Sequence, residues 1–501
     1  MDLLLGLDVG TTATKELLFD LAGNVVASAS CSYGLIVPRP GWVEQDPAEL
    51  WRGVVETSQA VLSQIGSEDR IVALSQSSKA GTTIPADAKG QPVCNAISWM
   101  DERAGEQAQR VQQRWGSNFI KTTTGWMLWE GLPLQHIAWL RENRPDIFSA
   151  ARHFFFVNDF ITYRLTGRLC MNPSDAGITQ LMNVATGDWD ERLLDIAGIE
   201  RGQLSPMLPS GHVVGALIPA ASEATGLPQD VLVVNGAHDQ YCAAVGTGVT
   251  RPGPTMLSSG TAWVILAVPE SLEVGLGSGM NISCHAVEGR WGAVRSLGGV
   301  GTSLEWLLDN VWGGGDAEGK RGDLYDSINQ GAARSSPGAN GLFFLPPTGG
   351  HASSIGTGRG GFVGLSLSHS RNDLARAVME GVAFELRWAL EEIQQAGVRV
   401  AEFKMVGGAA ESPLWPQIVA DVTGVPVALP TVKQAAGRGA AILAGVGAGL
   451  FSDPEAGFVA FRGQETRLEP ASENRKPYDD LFRTYQDLYR LLINRWKDNH
   501  V

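Results

Sequence analysis

The stretch LLLGLDVGTTATKELLFDLAGNVVASAS, residues 3–30, decides the reading of the fold. Leu3 to Leu7 is an apolar run that suits a buried strand. DVGTT makes a polar turn, TKELLFD a second strand, LAGN a second turn and VVASAS a third strand. This is an antiparallel meander rather than the start of a βαβ unit. Downstream, DPAELWRGVVETSQAVLSQIG (residues 46–66) predicts a helix. Asp46 suits its N-cap, Pro47 its first turn, and Leu50, Val54, Val55 and Val61 form an apolar stripe. RIVALSQSS (70–78) returns to strand.

A related unit recurs at PTMLSSGTAWVILAV, residues 254–268, after the proline-rich joint TRPGP (250–254). Again a strand, a Gly-Thr turn and a strand follow one another. The repetition suggests an internal duplication with a boundary near residue 248. At 501 residues the chain is too long for one ordinary core, so two α/β domains are expected, 1–247 and 248–501. The second half carries a helix in SRNDLARAVMEGVAFELRWALEEIQQAG (370–397), starting at Asn372 or Asp373 and stopped by Gly397. PYDDLFRTYQDLYRLLINRWKDN (477–499) predicts a docked terminal helix with Leu481, Tyr485, Leu488 and Leu492 on one face.

The net charge of -14 speaks against non-specific nucleic-acid binding, which needs Lys and Arg to displace counterions. The five cysteines are scattered, with no CxxC pair, and fit inert thiols in a reducing compartment. The N-terminus has no signal-peptide pattern, and the longest apolar tract, AAILAGVGAGLF (440–451), is too short to span a bilayer. No membrane partner and a cytoplasmic location are expected.

Four stretches carry possible chemistry. In GLDVGTTATK (6–15), Gly10, Thr11 and Thr12 present backbone N–H groups and hydroxyls that would cradle phosphate, and Lys15 adds a point charge. Asp8, at the strand end, suits Mg²⁺ held through water. A plain hairpin turn explains the same residues. In LSSGTAW (257–263), Gly260 and Thr261 would form a second cradle. VVNGAHDQYCAAVG (233–246) places one carboxylate, Asp239, among small residues. Gly236, Ala243, Ala244 and Gly246 permit close packing around it. Asp239 fits a helix N-cap, and it fits equally a general base for phosphoryl transfer. VGGAAESPLWPQIVADVTGVPV (406–427) has a strand ending at Gly407 and Gly408, against which a flat base would lie; a tight strand-to-helix turn accounts for it too. GTGRGG (356–361) matches GxGxxG without the strand and helix a dinucleotide fold requires, and no P-loop or protein-kinase motif set is present. Trp126 and Trp129, in the Gly-flanked TGWMLWEG, offer aromatic faces for a sugar or for the core.

As a set and in order, these motifs resemble the FGGY family of carbohydrate kinases. Joining them are GWVEQDPAELW (41–51), NAISWMDERA (95–104), WLRENRPDIFSAARHFFFVNDFITYRLTG (139–167), PSDAGITQLMNVATGDWD (173–190) and GGFVGLSLSHSRNDLARAVME (360–380). The resemblance implies two ribonuclease H-like domains of the actin-like ATPase type around a central cleft. It implies Asp239 as catalytic base and Asp8 as magnesium partner with it, the two facing each other across that cleft. Gly10, Thr11, Thr12, Lys15, Gly260 and Thr261 would hold phosphates, with Gly301 and Gly408 on the nucleotide and Ser412 near its base. Partners would be ATP and a small sugar, and a homodimer is compatible. Among subfamilies, TGWMLWEGLPLQHIAWL (124–140) is most similar to xylulokinases.

Three positions depart from the family pattern. Ala80 and Gly81, beside Lys79, stand where a polar pair contacts the sugar. His136 replaces a signature lysine, and Gly349, Gly350 and His351 replace a Gly-Glu-Arg segment. Lys79, Ala80, Gly81, Trp126, Asp239 and Gln240 are the expected substrate contacts. The expected reaction is ATP-dependent phosphorylation of a ketopentose such as xylulose, with erythritol, ribulose, gluconate, a deoxyhexulose or mere sugar and nucleotide binding as alternatives.

Overall fold

The computed structural model describes residues 1–313, 321–348, 359–431, 434–461, 463 and 465–498. Gly349, Gly350 and His351, and the first half of GTGRGG, lie outside the described residues.

The opening meander is present as β1 (Asp2–Val9), β2 (Ala13–Asp20) and β3 (Val25–Ser32), paired antiparallel in sequence order. Helix α1 (Pro47–Leu62) crosses over to β4 (Arg70–Ser78), which lies parallel to β1. The Asp46 side chain accepts from the Ala48 N–H and Pro47 fills the first turn, as the sequence predicts. Leu50, Val54 and Val61 are buried; Val55 is only partly so. A helical excursion follows, ending in α2 (Pro173–Ile178). The chain then returns through β5 (Val213–Ala216) and β6 (Leu232–His238) and turns directly into α3 (Asp239–Gly246). The six-stranded sheet has the order β5-β6-β4-β1-β2-β3, with β1, β4 and β6 mutually parallel.

The second half builds the same pattern. Strands β7 (Gly253–Ser259), β8 (Trp263–Ala267), β9 (Asn281–Cys284) and β10 (Trp291–Ser296) are joined by β11 (Val400–Val406), β12 (Val427–Pro430) and β13 (Glu465–Leu468). Their order is β9-β10-β8-β7-β11-β12-β13. The β7-β8-β10 meander matches β1-β2-β3, and β11 and β12 run parallel as β4 and β6 do. An antiparallel edge strand closes each sheet, β13 here and β5 there. The duplication visible in two short stretches therefore runs through both sheets, with β9 as an addition.

The second half also carries the helices α4 (Arg371–Gln395), α5 (Trp415–Thr423), α6 (Ala435–Gly447) and α7 (Ser472–Asp498). Helix α4 starts one or two residues before expectation: Ser370 is the N-cap and Asp373 closes a capping box with it. The most buried stripe of α7 is aromatic, Tyr478, Phe482, Tyr485 and Tyr489, packed around Phe384; of the expected face Tyr485 belongs to it, while Leu481 and Leu492 pack beside it only partly buried.

Helix α6 leaves its own half and lies on β1, β4 and β6 and against α3. A Cβ at Gly246 would sit 2.0 Å from the Ala435 carbonyl oxygen, and one at Gly439 1.8 Å from that of Cys242. Only glycine lets the two helices touch backbone to backbone. Each lobe has its own apolar cluster, and a third, with Leu4, Phe19, Val245, Leu266 and Ile442, joins them. All five cysteines are free, and no described helix is long and apolar enough to cross a membrane.

Candidate active site

The carboxyl ends of parallel strands are where open α/β sheets bind ligands. Here β1 ends at Asp8 and Val9, β4 at Ser77 and Ser78, and β6 at His238, with Asp239 next. Because β4 lies between β1 and β6, Asp8 and Asp239 stand on one sheet of the first lobe. This corrects the expectation that they face each other from opposite sides of an interdomain cleft; strand order decides it.

The Ser77 hydroxyl donates to Asp8 Oδ1 at 2.8 Å. Burial, then the charge of Asp239, push the Asp8 carboxyl up to about 6, against the opposing pull of Ser77 and Lys15. Lys15 is the residue opposite Asp8 in the β1–β2 ladder. Asp239 is not the N-cap of α3: His238 holds that position, and Asp239 is the first helical residue, where the helix dipole favours its charge. Its side chain is 34% exposed, and one oxygen lies 3.0 Å from His238 Nε2. Burial would lower the His238 imidazole, but Asp239 and Asp175 outweigh it and hold the ring above its ordinary value. Asp175 of α2 is buried beneath, taking a hydrogen bond from Ser78 at 3.2 Å and from Asn172 at 2.8 Å. Burial lifts it to about 7. No role had been read for Asp175, although the motif PSDAG contains it.

Behind the turn of Gly10, Thr11 and Thr12 stands a fixed scaffold. Tyr33 OH donates to the Gly10 carbonyl at 2.7 Å, Gln45 Nε2 to that of Thr11 at 2.7 Å, and Trp99 Nε1 to Thr11 Oγ1 at 3.3 Å. Thr12 is exposed. The Lys79 ammonium, 2% exposed, donates to Gln45 Oε1, and burial pushes it down to about 7. Ala80 joins Trp126, Leu132 and Ile178 in a small apolar cluster. Gly81 has φ +78°, and a Cβ there would lie 3.0 Å from Trp99 Cβ, so a side chain would be both strained and crowded. The Gln240 amide oxygen finds no donor among the described residues. His136 is buried, contacts Thr83 Oγ1 at 3.1 Å, and is pushed by burial down to about 3, which makes it a neutral core residue. Trp129 is 37% exposed and meets Trp99 edge-on.

In the second lobe, Gly260, Thr261, Gly301, Gly408 and Ser412 line one cavity of about 510 Å³. Gly301 N donates to the Thr261 carbonyl at 3.1 Å, and a Cβ on Gly301 would lie 2.2 Å from the Gly260 oxygen. Trp263 and Trp415, with ring centroids 5.3 Å apart, supply apolar wall. Ser412 Oγ donates to Asn329 Oδ1 at 2.6 Å and accepts from the Trp415 N–H at 3.0 Å. Asn329, Tyr325 and Glu305 belong to this lining as well: Tyr325 and Asn329 reach it from a segment with no motif of its own, and Glu305 follows Gly301 by four residues. The residues of the first turn do not line it. A larger cavity, about 730 Å³, lies between Gln107 and Ile196 on the helical excursion and contains none of these groups.

Among the described residues no three His, Cys, Asp or Glu side chains gather into a metal cage. A paired Asp8 and Asp239 with opposed like charges does fit Mg²⁺, which takes one or two carboxylates and completes its shell with water and phosphate oxygens.

The FGGY family of carbohydrate kinases matches the chain twice, its N-terminal domain over residues 3–246 and its C-terminal domain over 256–448. A xylulose kinase of Staphylococcus epidermidis is 30% identical over 493 residues, covering 98% of this chain and 97% of that one. A gluconokinase of Bacillus subtilis is 29% identical over 504 residues, covering 98% and 96%. The crystal structure of xylulose kinase from Rhodospirillum rubrum superposes with a TM-score of 0.89 at 27% identity, over 99% of each chain.

Proposed function

Because the chain belongs to the FGGY family of carbohydrate kinases, we propose that it phosphorylates a ketopentose such as xylulose from MgATP, with Asp239 as general base. Residues 1–247 take the sugar, and 248–501 take the nucleotide. The free oxygen of Asp239 accepts the proton of an acceptor hydroxyl. The hydroxyl oxygen forms its bond to the γ-phosphorus as the bond to the β–γ bridging oxygen breaks, and ADP leaves. His238 orients the other carboxylate oxygen. Asp8 and Asp239 would hold Mg²⁺, which would supply positive charge to neutralise the phosphates. Gly10, Thr11, Thr12, Lys15, Gly260 and Thr261 cradle the transferred group, while Gly301, Gly408 and Ser412 seat the adenosine. The observation that carries this reading is Asp239 itself, a carboxylate about one-third exposed at a helix start beside a second, partly buried one, Asp8.

A second acceptor class, sugar acids such as gluconate, is favoured by Lys79. Its buried ammonium pairs with a neutral amide and leaves two N–H donors for an anion. A coupled ADP assay on D-xylulose, D-ribulose, erythritol and D-gluconate decides between them. Measurable sugar binding with no ADP formed from any acceptor overturns the kinase reading in favour of a binding protein.

A further inference from the structure

Ser283 sits directly opposite Gly292 in the β9–β10 ladder. From this single rung of the second lobe, two contacts reach the catalytic side of the first. Trp126 Nε1 donates to Ser283 Oγ at 2.7 Å. Tyr241 OH donates to the Gly292 carbonyl at 3.1 Å. Tyr241 is two residues past Asp239 on α3. One rung thus holds both the tryptophan expected at the sugar and the helix that carries the base.

The surroundings are shaped for this approach. A Cβ at Gly177 would lie 2.4 Å from Ser283 Oγ, and one at Gly292 would lie 2.1 Å from a Tyr241 ring carbon. Backbone contacts flank the rung: Ile282 N donates to the Gly125 carbonyl at 2.8 Å, and Met127 N to Asn281 Oδ1 at 3.0 Å. On its far side Trp126 packs on Ala80, Leu132 and Ile178. The ring is therefore held apolar on one side and pinned at its nitrogen from the other lobe.

We propose that Ser283 is a positioning residue for the acceptor half of the reaction: its hydroxyl fixes the Trp126 ring on the same rung whose backbone holds Tyr241 near the start of α3. This rests on the reading that Trp126 and Asp239 face the acceptor. A buried indole N–H left without its acceptor is free to swing only at a cost, and one such hydrogen bond corresponds to roughly five- to thirtyfold in a rate or binding constant.

The test is steady-state kinetics with D-xylulose and ATP on Ser283→Ala, Ser283→Thr, Trp126→Phe and the Ser283→Ala/Trp126→Phe double variant. Ser283→Ala should lower kcat/KM for the sugar by roughly five- to thirtyfold while KM for ATP stays within about twofold, and Ser283→Thr should restore it. Trp126→Phe, which keeps a ring and loses the N–H, should give a similar loss, and the double variant should be no worse than the larger single one. Losses that multiply, an equal rise in KM for ATP, or a threonine variant as poor as alanine would each overturn the proposal. If Ser283→Ala does not fold, Trp126→Phe decides alone, and an unchanged sugar kcat/KM overturns it. A wild-type enzyme that turns over neither D-xylulose nor D-gluconate removes the acceptor reading first, and the proposal falls with its premise.

Discussion

Lys79→Met should stabilise the protein at neutral pH and impair its use of an acidic acceptor. Burial pushes the ammonium from 10.5 down to about 7, with no carboxylate among the described residues opposing it. The folded chain therefore binds this proton more weakly than the unfolded chain, so stability falls as pH drops from 10.5 towards 7 and stays low below that. At pH 7.5 the penalty for this shift is on the order of 4 kcal/mol. Methionine fills similar space without charge. Against that gain, Gln45 Oε1 loses its donor, which costs about 1–3 kcal/mol for a buried acceptor. The net expectation is a gain of about 1–3 kcal/mol at pH 7.5, read as a higher urea midpoint. At pH 10.5 the wild-type penalty has nearly gone while the Gln45 loss remains, so the variant should become the less stable protein. If the variant is equally destabilised at both pH values, the ammonium is already compensated and the reasoning fails. In the same variant, turnover of D-gluconate should fall further than that of D-xylulose.

Glu16 is fully buried, takes hydrogen bonds from Thr57 and Ser58, and is raised by burial from 4.5 to about 7. The folded chain keeps a proton there that the unfolded chain releases, so this group lowers stability as pH rises from 4.5 to 7. Glu16→Gln should raise the thermal midpoint at pH 8, by about 1–3 kcal/mol of stability, and leave it unchanged at pH 4.5; a gain independent of pH would contradict this. Asn329→Ala frees the Ser412 hydroxyl and should raise KM for ATP roughly fivefold with the sugar KM unmoved, measured by varying each substrate in turn. Gly246→Ala forces a methyl to within 2.0 Å of the Ala435 oxygen, so it should cost about 1–3 kcal/mol or more and slow turnover by tilting α3; calorimetry and initial rates check both.

The two meanders were legible because their strands are adjacent in sequence and their Gly-Thr turns interrupt apolar runs. The helix α1 was legible from Asp46, Pro47 and one stripe. By contrast, α6 showed in the sequence only as a short Gly- and Ala-rich tract. Its purpose, backbone contact with α3, depends on Gly246 meeting Ala435 and Cys242 meeting Gly439 across nearly two hundred residues. The same holds in the site. Asp8 and Asp239 were identifiable as carboxylates at strand ends, but nothing in the chain states that β4 separates them. Asp175, Asn329 and Glu305 acquire their places from tertiary packing, and the sequence alone does not show that His238, one residue before Asp239, takes the cap position.

Asp239→Asn is the most direct measurement of the central claim. Asparagine keeps size and the first-turn position but cannot take a proton. Turnover with the acceptor that the wild-type enzyme phosphorylates should fall by roughly a hundred- to ten-thousandfold, while ATP and sugar binding, measured by calorimetry, stay close to wild type. Near-normal turnover in this variant would contradict Asp239 as the base.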